Sequence, residues 1–378
     1  MSVTASASLT PADFKNHRIL KDGSFLVLAL DRPDGTVVCK IAREDNAKIR
    51  REIDRIAALK QRFRHLAEWM PASLGEGVIE GGVLEGKLFS LQQFVSGPTL
   101  SQLLQRKASQ NDIAATVGRV VTNLIDHIED HKAIDSGQGW FDGMIRAAFT
   151  RILDIPLVGA VARLPEVVIN GQPRKGLRAS VEQIIDSAAF DRFIRKQPAI
   201  AGLGHWNFHG ENIILNDGFT QGFAIIDPDV SLDECDPMFG LARLLYSFPH
   251  DSAERSEYLI ASDLLMPRGG TIDGRFDVSF TWPDEVMENY RFLYRGVRDG
   301  RLPHVYELDS RFASNPHLWY RLLISLLLCL LRGVGVNYKA SYPLNYGDMA
   351  HFQNEAVFLL LNAIELADLI ASDKAVQS

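Results

Sequence analysis

Between His17 and Ile41 short apolar runs alternate with turn residues: HRIL, KDGS, FLVLAL, DRPDG and TVVCKI follow one another. That alternation predicts three antiparallel strands joined by tight turns. From Asp45 to Phe63 the apolar period lengthens to that of a helix. Gly and Pro return in PASLGEGVIEGG, and two more strands are expected around Gly77 to Leu84 and Lys87 to Val95. After Gly97 the pattern is mostly helical, broken by one hairpin-like passage from Asn212 to Asp227. The pattern predicts an α+β fold with a small β-rich part over 14–96, a large α-rich part over 97–378 and a hinge near Val95 to Pro98. Residues 1–13, rich in Ser, Thr and Ala, read as a flexible lead.

Composition sharpens this picture by exclusion. The chain has 378 residues, more than twice a typical domain of about 150, so two parts with a substantial core are expected. Its 40 Lys and Arg against 47 Asp and Glu leave a net charge of −7, the wrong sign for holding a polyphosphate backbone by bulk electrostatics. No nucleic-acid partner is expected. Cys39, Cys235 and Cys329 are odd in number and far apart, which fits neither a disulfide framework nor a Cys-rich zinc site. The N-terminal residues lack the basic and apolar regions of a signal peptide, and a cytoplasmic location is expected. The apolar stretch Leu322 to Leu331 is bracketed by Arg321 and Arg332 and falls short of the ~20 residues of a membrane span, so a buried core helix is expected.

The helix after the third strand carries the first chemical signal. With Ile49 at zero and about 100° per residue, Ile53, Ile56, Leu59, Lys60 and Phe63 share one arc, opposite Arg50, Arg51, Asp54, Arg55, Gln61 and Arg62. Glu52 falls inside the apolar arc, where a carboxylate is costly unless a cation meets it. Lys40, at the end of the apolar strand VVCK, is the natural partner. The alternative is a Glu at the stripe's edge that reaches water.

The second signal is GHWNFHGENIILNDGFTQGFAIIDPD, residues 204 to 229. Trp206 and Phe208 alternate with His205, Asn207 and His209, so an extended segment would bury the aromatics and turn the polar side chains to one side. Two short strands, Ile213 to Leu215 and Phe223 to Ile226, are expected to pair as a hairpin. Antiparallel pairing brings Asn212 and Asp227 to the same end, about 5 Å apart. An amide oxygen beside a carboxylate suits a hard cation such as Mg²⁺. Equally, both could be turn-flanking residues bonded to backbone. His205 and His209 are four apart, a zinc spacing on a helix but not on extended chain.

A strand Lys, a helix Glu, an apolar strand into a Gly-Pro hinge, an H-x-x-x-H-x-x-N-I-I-L loop and an I-I-D motif resemble, in that order, the protein-kinase-like fold. The aminoglycoside phosphotransferase branch of small-molecule kinases, whose loop reads His-Gly-Asp-x-His-x-x-Asn, is the most similar. The resemblance covers residues 18 to 250 and implies a bilobal fold. It also implies that Lys40, braced by Glu52, holds nucleotide phosphates under a loop containing Gly23 and Ser24. Asn212 and Asp227 would carry Mg²⁺, and the backbone of Gln93, Phe94 and Val95 would take the adenine. DPMFGLARLLY, from Asp236, resembles the segment that buttresses the loop in this family.

Three positions depart from the pattern. Asn207 stands where such kinases place the catalytic Asp, and an amide cannot accept a proton, although its oxygen can position a hydroxyl. Replacement bases are His209, Glu211, His205 and Asp229, in that order. The loop between the first strands has one glycine, Gly23, and Gly240 stands where a second structural Asp is usual. The resemblance thus implies an ATP- or GTP- and Mg²⁺-dependent phosphotransferase acting on a hydroxyl of a small molecule. Its alternative is a pseudokinase or nucleotide-binding regulatory protein with a protein partner. No membrane partner is expected.

Overall fold

The computed structural model describes residues 8–23, 25–105, 110–129, 140–196, 204–229, 235–253, 257–260, 276–281, 315–337 and 346–372. In chain order the strands and helices begin with β1 (His17–Asp22), β2 (Phe25–Arg32), β3 (Gly35–Ala42), α1 (Asn46–Arg62), α2 (Arg64–Trp69), β4 (Ser73–Val78) and β5 (Leu88–Gln93). There follow α3 (Leu100–Gln105), α4 (Gln110–Glu129), α5 (Trp140–Leu153), α6 (Pro156–Ala162), β6 (Glu166–Ile169), β7 (Gln172–Lys175) and α7 (Leu177–Ile185). The remainder are β8 (Ile213–Leu215), β9 (Phe223–Ile225), α8 (Pro237–Ala253), β10 (Glu257–Ile260), β11 (Phe276–Thr281), α9 (Pro316–Asn337) and α10 (Tyr346–Ser372).

These elements form two compact units, Met1–Leu100 with Leu203–Asp233, and Ser101–Gly202 with Glu234–Ser378. The division differs from a single boundary at residue 96, because the loop and hairpin of 204–229 group with the N-terminal strands. The fold class is α+β, as the periodicity implied.

In the first unit β1 to β5 make an antiparallel sheet in the order β1-β2-β3-β5-β4. One face is apolar: Leu28, Leu30, Val37, Cys39, Ile41, Phe89 and Leu91 are buried together. Leu9 and Ile79 complete this cluster. The expected flexible lead therefore ends before Leu9, which forms a β-bridge to Ile79, and Pro11–Phe14 is a 3-10 turn closed by Thr10 and Asp13. The fourth strand also lies earlier than expected, at 73–78. The glycines of residues 81, 82 and 86, all at positive φ, turn the following segment rather than extending it.

Helix α1 starts on Asp45, whose side chain accepts from the Ala47 amide at 2.7 Å. Its buried residues are Ile49, Glu52, Arg55, Ile56 and Leu59, so the inward arc is centred near Glu52 and takes in Arg55, expected on the solvated face. Ile53 is only half-buried. The rotation follows from an ionic contact at Glu52 that outweighs one isoleucine. Lys60, in the apolar arc by sequence, donates to the Pro71 carbonyl at 2.5 Å, which satisfies its ammonium at the helix end.

The second unit holds a four-stranded sheet in the order β10-β11-β6-β7, absent from the helical expectation for this region. Its strands are four to six residues long, too short for periodicity to separate from the helices around them. Helix α9 contains Leu322 to Leu331 and runs further on both sides. Its most apolar stretch, His317–Gly335, is long enough to cross a membrane, but 83% of it is buried within the protein, as in a core helix. All three cysteines are buried free thiols.

Candidate active site

The site residues lie in the first unit, on the sheet face opposite the apolar cluster. Lys40 pairs with Val27 of β2 and Ser90 of β5, and its side chain leaves β3 toward α1. Its Nζ donates to Glu52 Oε1 at 2.6 Å and to Asp227 Oδ1 at 2.7 Å. Glu52 is buried, at 2% exposure, whereas the Asp227 side chain is 32% exposed. Burial pulls the Lys40 pKa down, but the two carboxylates more than offset it, and the ammonium is held protonated well above the usual range. Burial also pushes at Asp227, upward, but Lys40 beside it wins and holds the carboxyl at about 2. Lys21 and His209 add to that lowering.

Asp227 reaches Lys40 because the chain turns sharply after β9. Its φ is +59°, a left-handed conformation that costs a non-glycine residue roughly 1–3 kcal/mol. Two amides hold the turn. Asn207 Nδ2 donates to the Asp227 carbonyl at 2.7 Å, and Asn212 Nδ2 donates to the Asn207 carbonyl at 3.1 Å and to the Asp227 carbonyl at 3.5 Å. The hairpin register, Ile213 opposite Ile225, places Asn212 and Asp227 at one end, and Ile226 N–H donates to the Asn212 carbonyl at 3.0 Å. The expected turn role is present for Asn212, whose side chain bonds backbone, whereas the Asp227 side chain pairs with Lys40.

The donor set fits Mg²⁺. The amide nitrogen of Asn212 is committed to backbone carbonyls, which leaves its Oδ1 as a cation ligand, and Asp227 keeps Oδ2 beyond its contact with Lys40. Two hard oxygens suit a small divalent ion, which completes its shell with phosphate and water. Among the described residues no group of three or more His, Cys, Asp or Glu is arranged to hold a metal by itself.

The hinge is joined to this hairpin by backbone. Leu215 N–H donates to the Pro98 carbonyl at 2.9 Å, and Asn216 Nδ2 donates to the Ser96 carbonyl at 2.6 Å. Gly97, at φ +140°, lies so close to β8 that a Cβ would sit 2.1 Å from the Leu215 carbonyl oxygen. Gln93 N–H donates to the Ala72 carbonyl at 2.9 Å, and its side-chain Oε1 accepts from the Ala72 amide at 3.2 Å. Phe94 lies beneath the Arg18 guanidinium, and Val95 is buried. Among the described residues no loop or cap hydrogen bond engages the backbone of Phe94 or Val95.

The polar residues of the loop separate into two kinds. Trp206 and Phe208 are buried as alternation requires, but His205 is buried with them, its ring stacked on Phe208 at 4.9 Å. The left-handed backbone at Trp206, φ +55°, breaks the alternation and turns His205 inward. Burial drives the His205 pKa down to about 3, so the ring is neutral and shielded. A base must touch the proton it takes. Of the proposed replacement bases, His209 and Asp229 are half-buried and Glu211 is exposed. Gly23 is exposed with open space around its Cα, so no steric demand for glycine exists there. Ser24 lies outside the described residues.

Asp236 caps α8, accepting from Met238 N–H at 2.9 Å, and its other oxygen takes Arg321 of α9. Phe141, Trp319 and Tyr320 are core residues. Sequence reasoning missed Lys21, which lies at the end of β1 and carries no motif.

No family model matches the chain, and no curated protein matches it. Solved structures are similar in fold. A Plasmodium vivax ethanolamine kinase is 11% identical, covering 92% of this chain and 81% of its own, with a TM-score of 0.44. A microcompartment-associated aminopropanol kinase is 14% identical, covering 94% and 97%, with a TM-score of 0.46. A spectinomycin phosphotransferase, in complex with ADP and spectinomycin, is 10% identical, covering 92% and 93%, with a TM-score of 0.41. At these identities and scores, function has to be read from the side chains.

Proposed function

We propose that the protein is an ATP- or GTP- and Mg²⁺-dependent phosphotransferase whose acceptor is a hydroxyl of a small molecule. One observation carries the reading: a single buried ammonium, Lys40, is shared by two carboxylates of unequal burial. Glu52 is the fixed partner. Asp227, one-third exposed and beside Asn212, is the exchangeable one. An incoming phosphate can take its place at Lys40, and the carboxylate released then has a cation to hold with Asn212. The Mg²⁺-bound nucleotide supplies the transferable γ-phosphoryl group. Lys40 neutralises phosphate charge, Glu52 keeps the ammonium aimed, and the Asn207 and Asn212 amides hold Asp227 in its strained turn. Positioning and electrostatics of this kind supply most of the acceleration in phosphoryl transfer. His209, half-buried in the same loop, is the residue proposed to receive the acceptor's proton.

A second reading, a nucleotide-binding pseudokinase, is favoured by the role of Asn207. Its Nδ2 donates to the Asp227 carbonyl, a contact an Asp could not make, so the residue serves as a brace. Mg²⁺-dependent nucleotide consumption against a panel of amino alcohols and aminocyclitols separates the two. The phosphotransferase reading expects turnover that Asp227→Ala removes. Nucleotide binding by thermal shift with no consumption under any acceptor favours the pseudokinase.

A further inference from the structure

The loop between β1 and β2 lacks the glycines from which a backbone phosphate cradle is built, but the register of β1 places a lysine there instead. Ile19 pairs with Leu28, whereas Lys21 pairs with Val27, so one extra residue, Leu20, is accommodated as a β-bulge. Without the bulge Lys21 would stand opposite Leu26, on the apolar face that buries Leu28, Cys39 and Ile41. With it, Lys21 shares a face with Val27 and Lys40, because Val27 is the partner of both. Bulges re-aim side chains in this way. The next residue confirms the alternation: Asp22 pairs with Leu26 on the opposite face, where its carboxylate takes Arg43 from the end of β3. That ion pair fixes the register of the turn.

Lys21 is exposed and two strand spacings from Lys40, about 10 Å between backbones, which long side chains bridge. Phe25 lies between the cations on the same face. Its ring centroid is 5.6 Å from Lys40 Nζ and 5.0 Å from Lys48 Nζ. Lys40 and Lys48 thus flank Phe25 on the face that Lys21 shares.

We propose that Lys21, turned onto the Lys40 face by the Leu20 bulge, is a phosphate-binding residue that holds the nucleotide's polyphosphate in place of a glycine-rich backbone cradle. This rests on the nucleotide reading given above. The lowering of the Asp227 pKa by Lys21 agrees with the placement.

The test is titration of the full chain with Mg·ATP or Mg·GTP, whichever the wild type binds, and with the corresponding nucleoside, for wild type, Lys21→Ala and Lys21→Arg. A charge-assisted contact predicts triphosphate binding weakened about tenfold or more in Lys21→Ala, and largely restored in Lys21→Arg. Nucleoside affinity stays unchanged, and the dependence of triphosphate affinity on salt becomes shallower. Triphosphate affinity within about twofold of wild type in Lys21→Ala overturns the proposal while the nucleotide reading stands. Equal loss for triphosphate and nucleoside assigns Lys21 to the fold and also overturns it. A wild type that binds neither Mg·ATP nor Mg·GTP overturns both readings together.

Discussion

Two buried ionic clusters among the described residues are built to opposite ends. In the helical unit Arg321 and Asp236 are both nearly inaccessible, and the second carboxylate oxygen of Asp236 caps α8. The two oxygens have separate partners. In the sheet-bearing unit Lys40 faces two carboxylates, one buried and one partly in water, and the whole is held by amides on a strained backbone. A closed pair joins helices. An oversupplied one has a partner to release, which is what a site for an anion and a cation requires.

Removing one partner of the closed pair is expected to have the largest effect on stability. Arg321→Met leaves Asp236 buried without its cation and should cost about 3–5 kcal/mol in urea unfolding. Arg321→Met with Asp236→Asn should recover part of it. If the single variant unfolds like wild type, the two clusters do not differ as described.

Asp227→Asn should separate stability from activity. Lys40 keeps Glu52, so the unfolding free energy should change by less than about 1 kcal/mol, while Mg²⁺-dependent turnover falls by roughly 10²-fold or more. An equal loss in Arg321→Met, measured on folded protein, would erase the contrast.

Asn207→Asp sharpens the same comparison from the supporting side. The carboxylate loses the donor to the Asp227 carbonyl and sets two oxygens against each other, and the expected cost is about 1–3 kcal/mol of stability. A more stable variant with higher turnover would show that the brace is dispensable and that an acid at this position is the better base.

The smallest effect is in acid. The Asp227 carboxyl sits at about 2 in the folded chain against 3.8 for the ordinary group. Because the folded value is the lower, its contribution is present above about pH 4 and is lost as pH falls toward 2. Partial exposure keeps that contribution small. Asp227→Asn should flatten the acid limb of the stability curve between about pH 4 and pH 2, measured by chemical unfolding at each pH.

The pairing of Lys40 with Glu52 was legible in the sequence because a carboxylate inside an apolar helical arc has few ways to be satisfied. The hairpin of 213–225 was legible for the same kind of reason, two short apolar runs around turn residues. What misled was local alternation. His205 reads as a polar residue on an extended segment, and it is buried, because the left-handed Trp206 reverses the side-chain direction. Arg55 reads as solvated and is buried, because Glu52 rather than Ile53 sets the rotation of α1. The strands of the second sheet were invisible, since β11 pairs parallel with β6, more than a hundred residues earlier.

The amino-acid pattern by itself determined the three N-terminal strands, the helix after them and the strand that ends at Gln93, and it singled out one lysine and one glutamate as partners. Those outcomes depend on periods of two and 3.6 residues, which neighbours along the chain encode. Only the tertiary structure decided that Asp227 also reaches Lys40, that Asn207 braces it, and that Lys21 faces the same side. These depend on φ at single residues and on one extra residue in a strand, where a shift of one position moves a side chain to the other face of the sheet.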